Sequence, residues 1–139
     1  MPPRAELHVH LDGSVEPETL LEIDPSLTRE EIAARTAYTD FAGFIQSFVW
    51  VNQRLKTPED YARVARRLLE RLAGEGVVHA EVTLSAGVVL WKQLPFAPIY
   101  DALLREGARS RVKVFWILDA IRQLGPALAK PVFDLAAER

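Results

Sequence analysis

The sequence of 139 residues contains no cysteine. This absence excludes disulfide bonds, thiolate zinc sites and cysteine nucleophiles. Long apolar runs are missing too. The N-terminal stretch MPPRAELHVHLDG lacks the apolar core of a signal peptide, and no segment approaches the length of a membrane span. We therefore expect a cytoplasmic protein with no membrane partner.

The sequence also lacks a strong excess of charge of one sign. Its net formal charge is −2, and no cluster of lysine and arginine is interleaved with aromatic residues. A basic surface for nucleic acid is therefore not expected. Arg63, Arg66, Arg67 and Arg71 recur on one side of a predicted helix, which we interpret as a solvated helix face.

Several catalytic motifs are absent. The sequence has no G-x-G-x-x-G, P-loop, G-x-S-x-G or H-E-x-x-H pattern. It also lacks the H-x-E…P-C-x-x-C signature of the cytidine-deaminase type of zinc site. The corresponding nucleotide-binding, nucleophilic-serine hydrolase and metalloprotease functions have no support in the sequence.

The composition is that of a folded domain, with 49% hydrophobic and 26% charged residues. Strand-like runs occupy residues 6–10, 77–84 and 112–120, and helical patterns lie between them. Thr28 opens a capping-box pattern, and Asp40 can cap a further helix. Further helices are predicted from Pro17, over residues 98–108 and over residues 131–138.

The clearest predicted helix precedes the second strand. Thr57 is its expected N-cap and Pro58 its first helical residue, and Gly74 and Gly76 end it. One stripe at helical spacing contains its apolar residues, which are Tyr61, Val64, Ala65, Leu68, Leu69 and Leu72. This stripe predicts a helix that packs one face against a core.

Strands that alternate with helices predict an α/β fold with parallel strands and right-handed crossovers. The run at residues 112–120 is too apolar to be half exposed, and such near-continuous apolar strands fit a sheet covered by helices. Three parallel strands cannot close a barrel, and they leave two open edges. We therefore expect residues 1–139 to be one partial domain, incomplete at its C-terminal end.

His8-Val9-His10 is the strongest chemical signal. Side chains alternate along a strand, so His8 and His10 share one face while Val9 points to the other. Two imidazoles at this spacing can bind one metal ion, and zinc favours nitrogen ligands. Two histidines on a half-exposed strand remain the alternative, because the spacing alone does not decide.

The surrounding sequence is more specific. AELHVHLDGSVEPETL resembles the opening of the adenosine deaminases, in the amidohydrolase superfamily, whose first strand carries H-x-H-x-D-G. EGVVHAEVTLS resembles their second-strand segment, G-V-x-Y-x-E-V-R-x-S-P, and the resemblance covers most of residues 4–85. The chain departs from that pattern at His79, Thr83 and Ala86.

The resemblance implies a fold and a reaction. The fold would be the N-terminal part, about three βα units, of a TIM-type (β/α)8 barrel. The reaction would be zinc-dependent hydrolytic deamination of an adenine-containing nucleoside, with release of ammonia. Because of the departures, adenosine and an analogue such as aminodeoxyfutalosine both remain candidate substrates.

The resemblance also implies site residues. His8 and His10 would bind Zn²⁺, and Asp12, beside Gly13, would accept a hydrogen bond from a sugar hydroxyl. In the family the other ligands and the proton-transfer groups come from later strands. We therefore expect no catalytic residue here, and no activity from this chain alone.

Other candidates are weaker. Phe41 and Phe44 lie in an aromatic stretch that the family uses as a lid over the base, although core packing is the simpler interpretation. We interpret His79 as an interior histidine rather than a third ligand, and Glu81 as a buried hydrogen-bonding group. Asp119 could line the active-site funnel or cap a helix.

Two alternative functions stay open. Another amidohydrolase, acting on a different C–N or ester bond, would share the H-x-H pattern, although the second-strand segment favours a deaminase. An inactive, truncated metal-binding or interaction fragment is the other alternative. The sequence does not predict the oligomeric state.

Overall fold

The computed structural model describes residues 2–139. Its elements follow in the order β1 (Arg4–His10), α1 (Pro17–Ile23), α2 (Arg29–Thr36), α3 (Phe41–Asn52), α4 (Pro58–Gly74), β2 (Val77–Leu84), α5 (Ala86–Trp91), α6 (Phe96–Arg109), β3 (Lys113–Leu118), a 3-10 turn (Arg122–Leu124) and α7 (Pro126–Glu138). The three strands form one parallel sheet in the order β1-β2-β3. The predicted alternation of parallel strands and helices is confirmed.

Capping residues fix where the helices begin, as predicted. The Thr57 side chain accepts a hydrogen bond from the Asp60 backbone N–H, and the Asp60 carboxylate accepts one from the Thr57 N–H, each at 3.1 Å. Thr28 and Asp40 accept comparable bonds at the starts of α2 and α3. Within residues 2–139, no helix combines the length and the apolar character needed to cross a bilayer.

The structure adds one helix and moves several predicted boundaries. Helix α5 was not predicted, because its six residues AGVVLW carry no amphipathic period. Helix α7 begins at Pro126 rather than at residue 131, since proline is tolerated in a first helical turn, and Pro131 lies inside the helix. Strand β3 ends at Leu118 rather than at residue 120.

The core forms around α4. Its predicted apolar stripe is buried, and α4 packs on β2 and on α6. Each buried aliphatic or aromatic side chain contributes about 1.5–3 kcal/mol relative to an exposed one. The largest core cluster also contains Ala80, Val82 and Leu84 of β2 and Ile99 and Leu103 of α6. The position of the sheet therefore depends on α4.

The arginine face of α4 does more than contact solvent. Arg63 and Arg67 both donate to Glu22 of α1, at 2.8 Å each. Arg66 donates to both carboxylate oxygens of Glu106 on α6, at 3.3 and 3.0 Å. The predicted solvated face is therefore present, since these side chains stay partly exposed, and it also connects α4 to its neighbours.

The sheet is covered on one face only. Val114, Trp116 and Leu118 of β3 pack against the core, whereas Phe115 and Ile117 are 46% and 45% exposed. The expectation that this strand is too apolar to be half exposed is therefore wrong for residues 2–139. Helices α4 and α6 lie against one face, and no segment in this range lies against the other.

Gly87 supports a close contact between the start of α5 and the segment after β3, at the carboxyl edge of the sheet. Its N–H donates to the Asp119 carbonyl at 2.9 Å. A Cβ at position 87 would lie 2.7 Å from the Ile121 backbone nitrogen, whereas a Cβ at Gly74 would meet nothing within 4 Å. Only a residue without a side chain fits at position 87.

We predict opposite effects for two glycine substitutions. Gly87→Ala should lower the free energy of unfolding by about 1–3 kcal/mol, because the methyl group overlaps the Ile121 backbone. Gly74→Ala should be neutral or stabilising by up to about 1 kcal/mol through helix propensity. Urea unfolding measures the free energy of unfolding of both variants. Equal stability of Gly87→Ala and wild type would contradict the close packing.

Candidate metal and substrate site

The candidate site lies at the carboxyl end of β1. In a parallel sheet the carboxyl ends of all strands share one edge, which is where α/β folds place their ligand sites. The Leu11 N–H donates to the Thr83 carbonyl at 2.9 Å and extends the pairing with β2. The Ser14 hydroxyl donates to the His10 carbonyl at 2.6 Å and closes the turn. The backbone around the two histidines is therefore held on both sides.

His8 and His10 converge, as strand alternation predicts. Their Nε2 atoms are 3.0 Å apart, and their rings are tilted by 43° with centroids 5.1 Å apart. Both side chains are exposed, whereas Val9 packs against the core. Two nitrogen ligands of one tetrahedral zinc ion lie about 3.3 Å apart when each Zn–N bond is about 2.0–2.1 Å. The chemistry and spacing of this pair therefore fit a zinc ion.

A register shift in β1 accompanies the pair, and the sequence did not indicate it. Glu6 pairs with Ala80 and Val9 pairs with Val82. Three residue steps along β1 therefore lie opposite two along β2, so β1 contains one extra residue here. Such bulges change the direction of side chains and are frequent beside active sites. The extra residue lies in the segment that leads into His8 and His10.

The pair has no third protein ligand among residues 2–139, where no group of three His, Cys, Asp or Glu side chains could hold a metal ion. His79 lies on β2, with its ring 5.1 Å from that of Phe115 and its Nε2 3.9 Å from the Glu81 carboxylate. The His79 and Glu81 side chains are 36% and 37% exposed. The expectation that they are interior is therefore wrong for this chain, because their face of the sheet is open.

Asp12 points inward, and only 1% of it is exposed. Its Oδ1 accepts a hydrogen bond from the Ser85 hydroxyl at 3.2 Å, while Oδ2 has no hydrogen-bond partner in the part of the chain described. Burial raises the pKa of the Asp12 carboxyl, and hydrogen bonds from its own backbone and from Ser85 act against this shift. Asp12 thus presents one unpaired acceptor oxygen.

A cavity of about 170 Å³ lies beside this carboxylate. It brings together Asp12, Gly13 and Phe44, three of the four predicted substrate-binding residues. The remaining residues that line it are Val15, Thr36, Tyr38, Ser47, Phe48 and Val51. The cavity therefore combines apolar and aromatic walls with a buried acceptor, the usual composition of a small-molecule site.

Phe41 lies outside this cavity. It is 76% exposed and lines a neighbouring groove together with Tyr38 and Phe44. The Phe41 and Phe44 ring centroids are 6.2 Å apart, and Phe44 borders both spaces. The simpler interpretation, that Phe41 packs in the core, is therefore wrong.

Asp119 does not cap a helix. Its backbone bonds to Gly87 and Leu84, and Ile121 and Gly125 are the N-cap residues that follow it. Ser85 and Lys92 contribute to the site region and were missed. Ser85 directly follows β2, so its place at the carboxyl edge was a usable signal. Lys92 gave no signal, since its hydrogen-bond partners are 31 to 40 residues away in the sequence.

Comparison with known proteins finds similarity to nucleoside and nucleobase deaminases. The family model described as adenosine deaminase matches residues 3–137. The adenosine deaminase of Mycobacterium ulcerans is 30% identical over 96% of this chain and 42% of its own length. The aminodeoxyfutalosine deaminase of Acidothermus cellulolyticus is 32% identical over 76% of this chain and 32% of its own length.

Solved structures agree in fold. The adenine deaminase of Arthrobacter aurescens superposes with a TM-score of 0.83 at 26% identity, over 99% of this chain and 46% of that one. An amidohydrolase with bound Zn from Burkhoderia ambifaria gives a TM-score of 0.80 at 25% identity, over 95% and 39%. The fold is thus the N-terminal part of a TIM-type barrel, as predicted. The chain spans less than half the length of these relatives.

The buried Asp12–Ser85 bond yields a stability prediction. Ser85→Ala should lower the free energy of unfolding by about 1–3 kcal/mol, because it removes a hydrogen bond from a buried carboxylate. Ser26→Ala is the matched control: its hydroxyl donates to the exposed Asp24 carboxylate at 2.5 Å, and the change should stay within about 0.5 kcal/mol. Chemical unfolding compares the two variants, and equal losses would argue against the buried bond.

Proposed function

Because this chain belongs to the adenosine deaminase family, we propose that it is the N-terminal part of a zinc-dependent enzyme that hydrolytically deaminates an adenine-containing nucleoside. The observation that carries this proposal is the pair of Nε2 atoms of His8 and His10, 3.0 Å apart, at the same strand end as the Asp12 cavity. Residues 1–139 form a partial barrel domain in this proposal, and a further segment completes it.

His8 and His10 hold the zinc ion in this proposal. Two exposed imidazoles on one strand face fit the donor chemistry of zinc, and the bound zinc of a 25% identical structure supports the assignment. When bound, zinc acts as a Lewis acid that lowers the pKa of water to about 7. No residue here is assigned to proton transfer, so this chain alone is not active.

Asp12 holds the sugar of the substrate. Its Oδ2 has no partner in the part of the chain described and can accept a hydrogen bond from a hydroxyl group. Phe44 packs against the substrate in the cavity that Gly13 also lines, and Phe41 covers its entrance. A buried acceptor favours substrates that carry the matching donor, because an analogue without it leaves the acceptor unpaired. This argues for a nucleoside over the free base.

The choice of substrate can be tested with the full-length protein. Ammonia release should be faster with adenosine or aminodeoxyfutalosine than with adenine. Asp12→Ala should lower kcat/KM for the nucleosides by about 10- to 100-fold, equivalent to one buried hydrogen bond to a charged group, and should affect adenine less. Zinc content serves as the control and should not change. An equal loss for adenine would contradict the sugar-binding role of Asp12.

The metal assignment predicts a separate result. His8→Ala and His10→Ala in the full-length protein should each remove zinc and deaminase activity together, because a catalytic zinc needs at least three protein ligands. His79→Ala is the matched control, since its ring contacts Phe115 rather than the pair, and it should retain about one zinc per chain. Metal analysis after dialysis measures the zinc content of each variant. One zinc per chain in both ligand variants would refute the assignment.

A further inference from the structure

Lys92, the residue after α5, places its ammonium group between three acceptors. Nζ donates to the Asn52 carbonyl at 2.8 Å, to the Leu55 carbonyl at 2.9 Å and to the Tyr61 hydroxyl at 3.1 Å. An ammonium group has three protons, so each has an acceptor. The two carbonyls belong to the end of α3 and the turn after it, and Tyr61 lies on α4.

Helix α3 depends on this end for its position. Its buried residues, Ser47, Trp50, Val51 and Asn52, all lie in its second half. Phe41 in its first turn is 76% exposed. The same helix supplies Phe44, Ser47, Phe48 and Val51 to the wall of the Asp12 cavity. A contact that holds the carboxyl end of α3 therefore also sets the cavity wall.

The ammonium is charged at neutral pH. Burial lowers the pKa of Lys92 to about 8, while the nearby carboxylates of Asp12 and Asp60 favour the charged form. Burial also raises the pKa of Tyr61, so its hydroxyl is neutral and can accept from the ammonium. Hydrogen bonds in which one partner is charged are about twice as strong as neutral ones. Lys92 is therefore suited to hold these segments in one arrangement.

We infer that Lys92 is a positioning residue: by joining α5 to the end of α3 and to Tyr61, it fixes the α3 wall of the Asp12 cavity. The role of Lys92 in holding α3 follows from these contacts alone. Its effect on substrate affinity rests on the proposed function. Lys92 does not line the cavity: its hydrogen bonds reach the cavity wall through α3, and its charge also lies near the Asp12 carboxylate.

Residues 1–139 contain no cysteine, so a thiol introduced among them is identified by the peptide that carries it. Ser47→Cys places a thiol on the cavity side of α3, where the serine is 8% exposed, and Ala102→Cys places one on α6, where the alanine is 1% exposed. Each is introduced into the full-length protein in the wild-type, Lys92→Met and Tyr61→Phe backgrounds. Peptide mass spectrometry then measures the rate at which a neutral thiol reagent labels each position.

Lys92→Met keeps the length and apolar stem of the side chain and removes all three bonds. It should raise the labelling rate at position 47 by on the order of tenfold, as expected for the loss of charged hydrogen bonds, and change the rate at position 102 by less than about twofold. Tyr61→Phe removes one acceptor and should give a smaller rise at position 47. Equal increases at both positions, or no change at position 47, would overturn the inference.

Steady-state kinetics add a readout that general destabilisation would not produce. Without the introduced thiols, Lys92→Met should raise KM for the nucleoside several-fold, and more than it lowers kcat, because the α3 wall binds substrate but carries no reacting group. An equal fall in kcat with unchanged KM would contradict the positioning role. If no adenine substrate is turned over, the proposed function fails, while the labelling rates still decide the role of Lys92.

Discussion

The candidate site depends on the burial of the apolar stripe of α4 against β2. That burial orients the sheet, because Ala80, Val82 and Leu84 of β2 belong to the same core as the stripe. Pairing with β2 then fixes β1, and Val9 turns toward the core. Since side chains alternate along a strand, His8 and His10 must lie on the opposite, open face. The convergence of the two imidazoles follows from packing on the far side of the sheet.

Local signals in the sequence predicted much of this arrangement. The N-caps Thr28, Asp40 and Thr57, the stripe of α4 and the alternation of His8 and His10 all depend on residues a few positions apart. Periodicity and capping report such short-range relations directly. These predictions were confirmed by the structure, and the family resemblance that rested on the same segments was confirmed by the comparison with known proteins.

Features that depend on distant residues were not predictable. The Asp12–Ser85 bond joins residues 73 positions apart, and Lys92 meets carbonyls 37 and 40 positions away. The register shift in β1 is visible only against its partner strand. Apolar content wrongly suggested that β3 could not be half exposed. Composition states how apolar a strand is, but it does not state which neighbours are present to cover it.

The two parts of the site differ in their surroundings, and this difference suits their proposed roles. The histidine pair is exposed, so a metal ion can reach it, while the Asp12 carboxylate is buried beside an aromatic cavity. In such surroundings an unpaired acceptor discriminates strongly between ligands that carry a donor and those that do not. The placement of zinc relative to β1 is the central claim that joins the two parts.

Anomalous diffraction at the zinc absorption edge tests this placement of zinc most directly. The crystals would contain the full-length protein and be grown with zinc. We expect one peak within about 2.0–2.1 Å of Nε2 of both His8 and His10. A zinc peak that contacts neither ring, or that contacts only one while the other packs against protein, would contradict it.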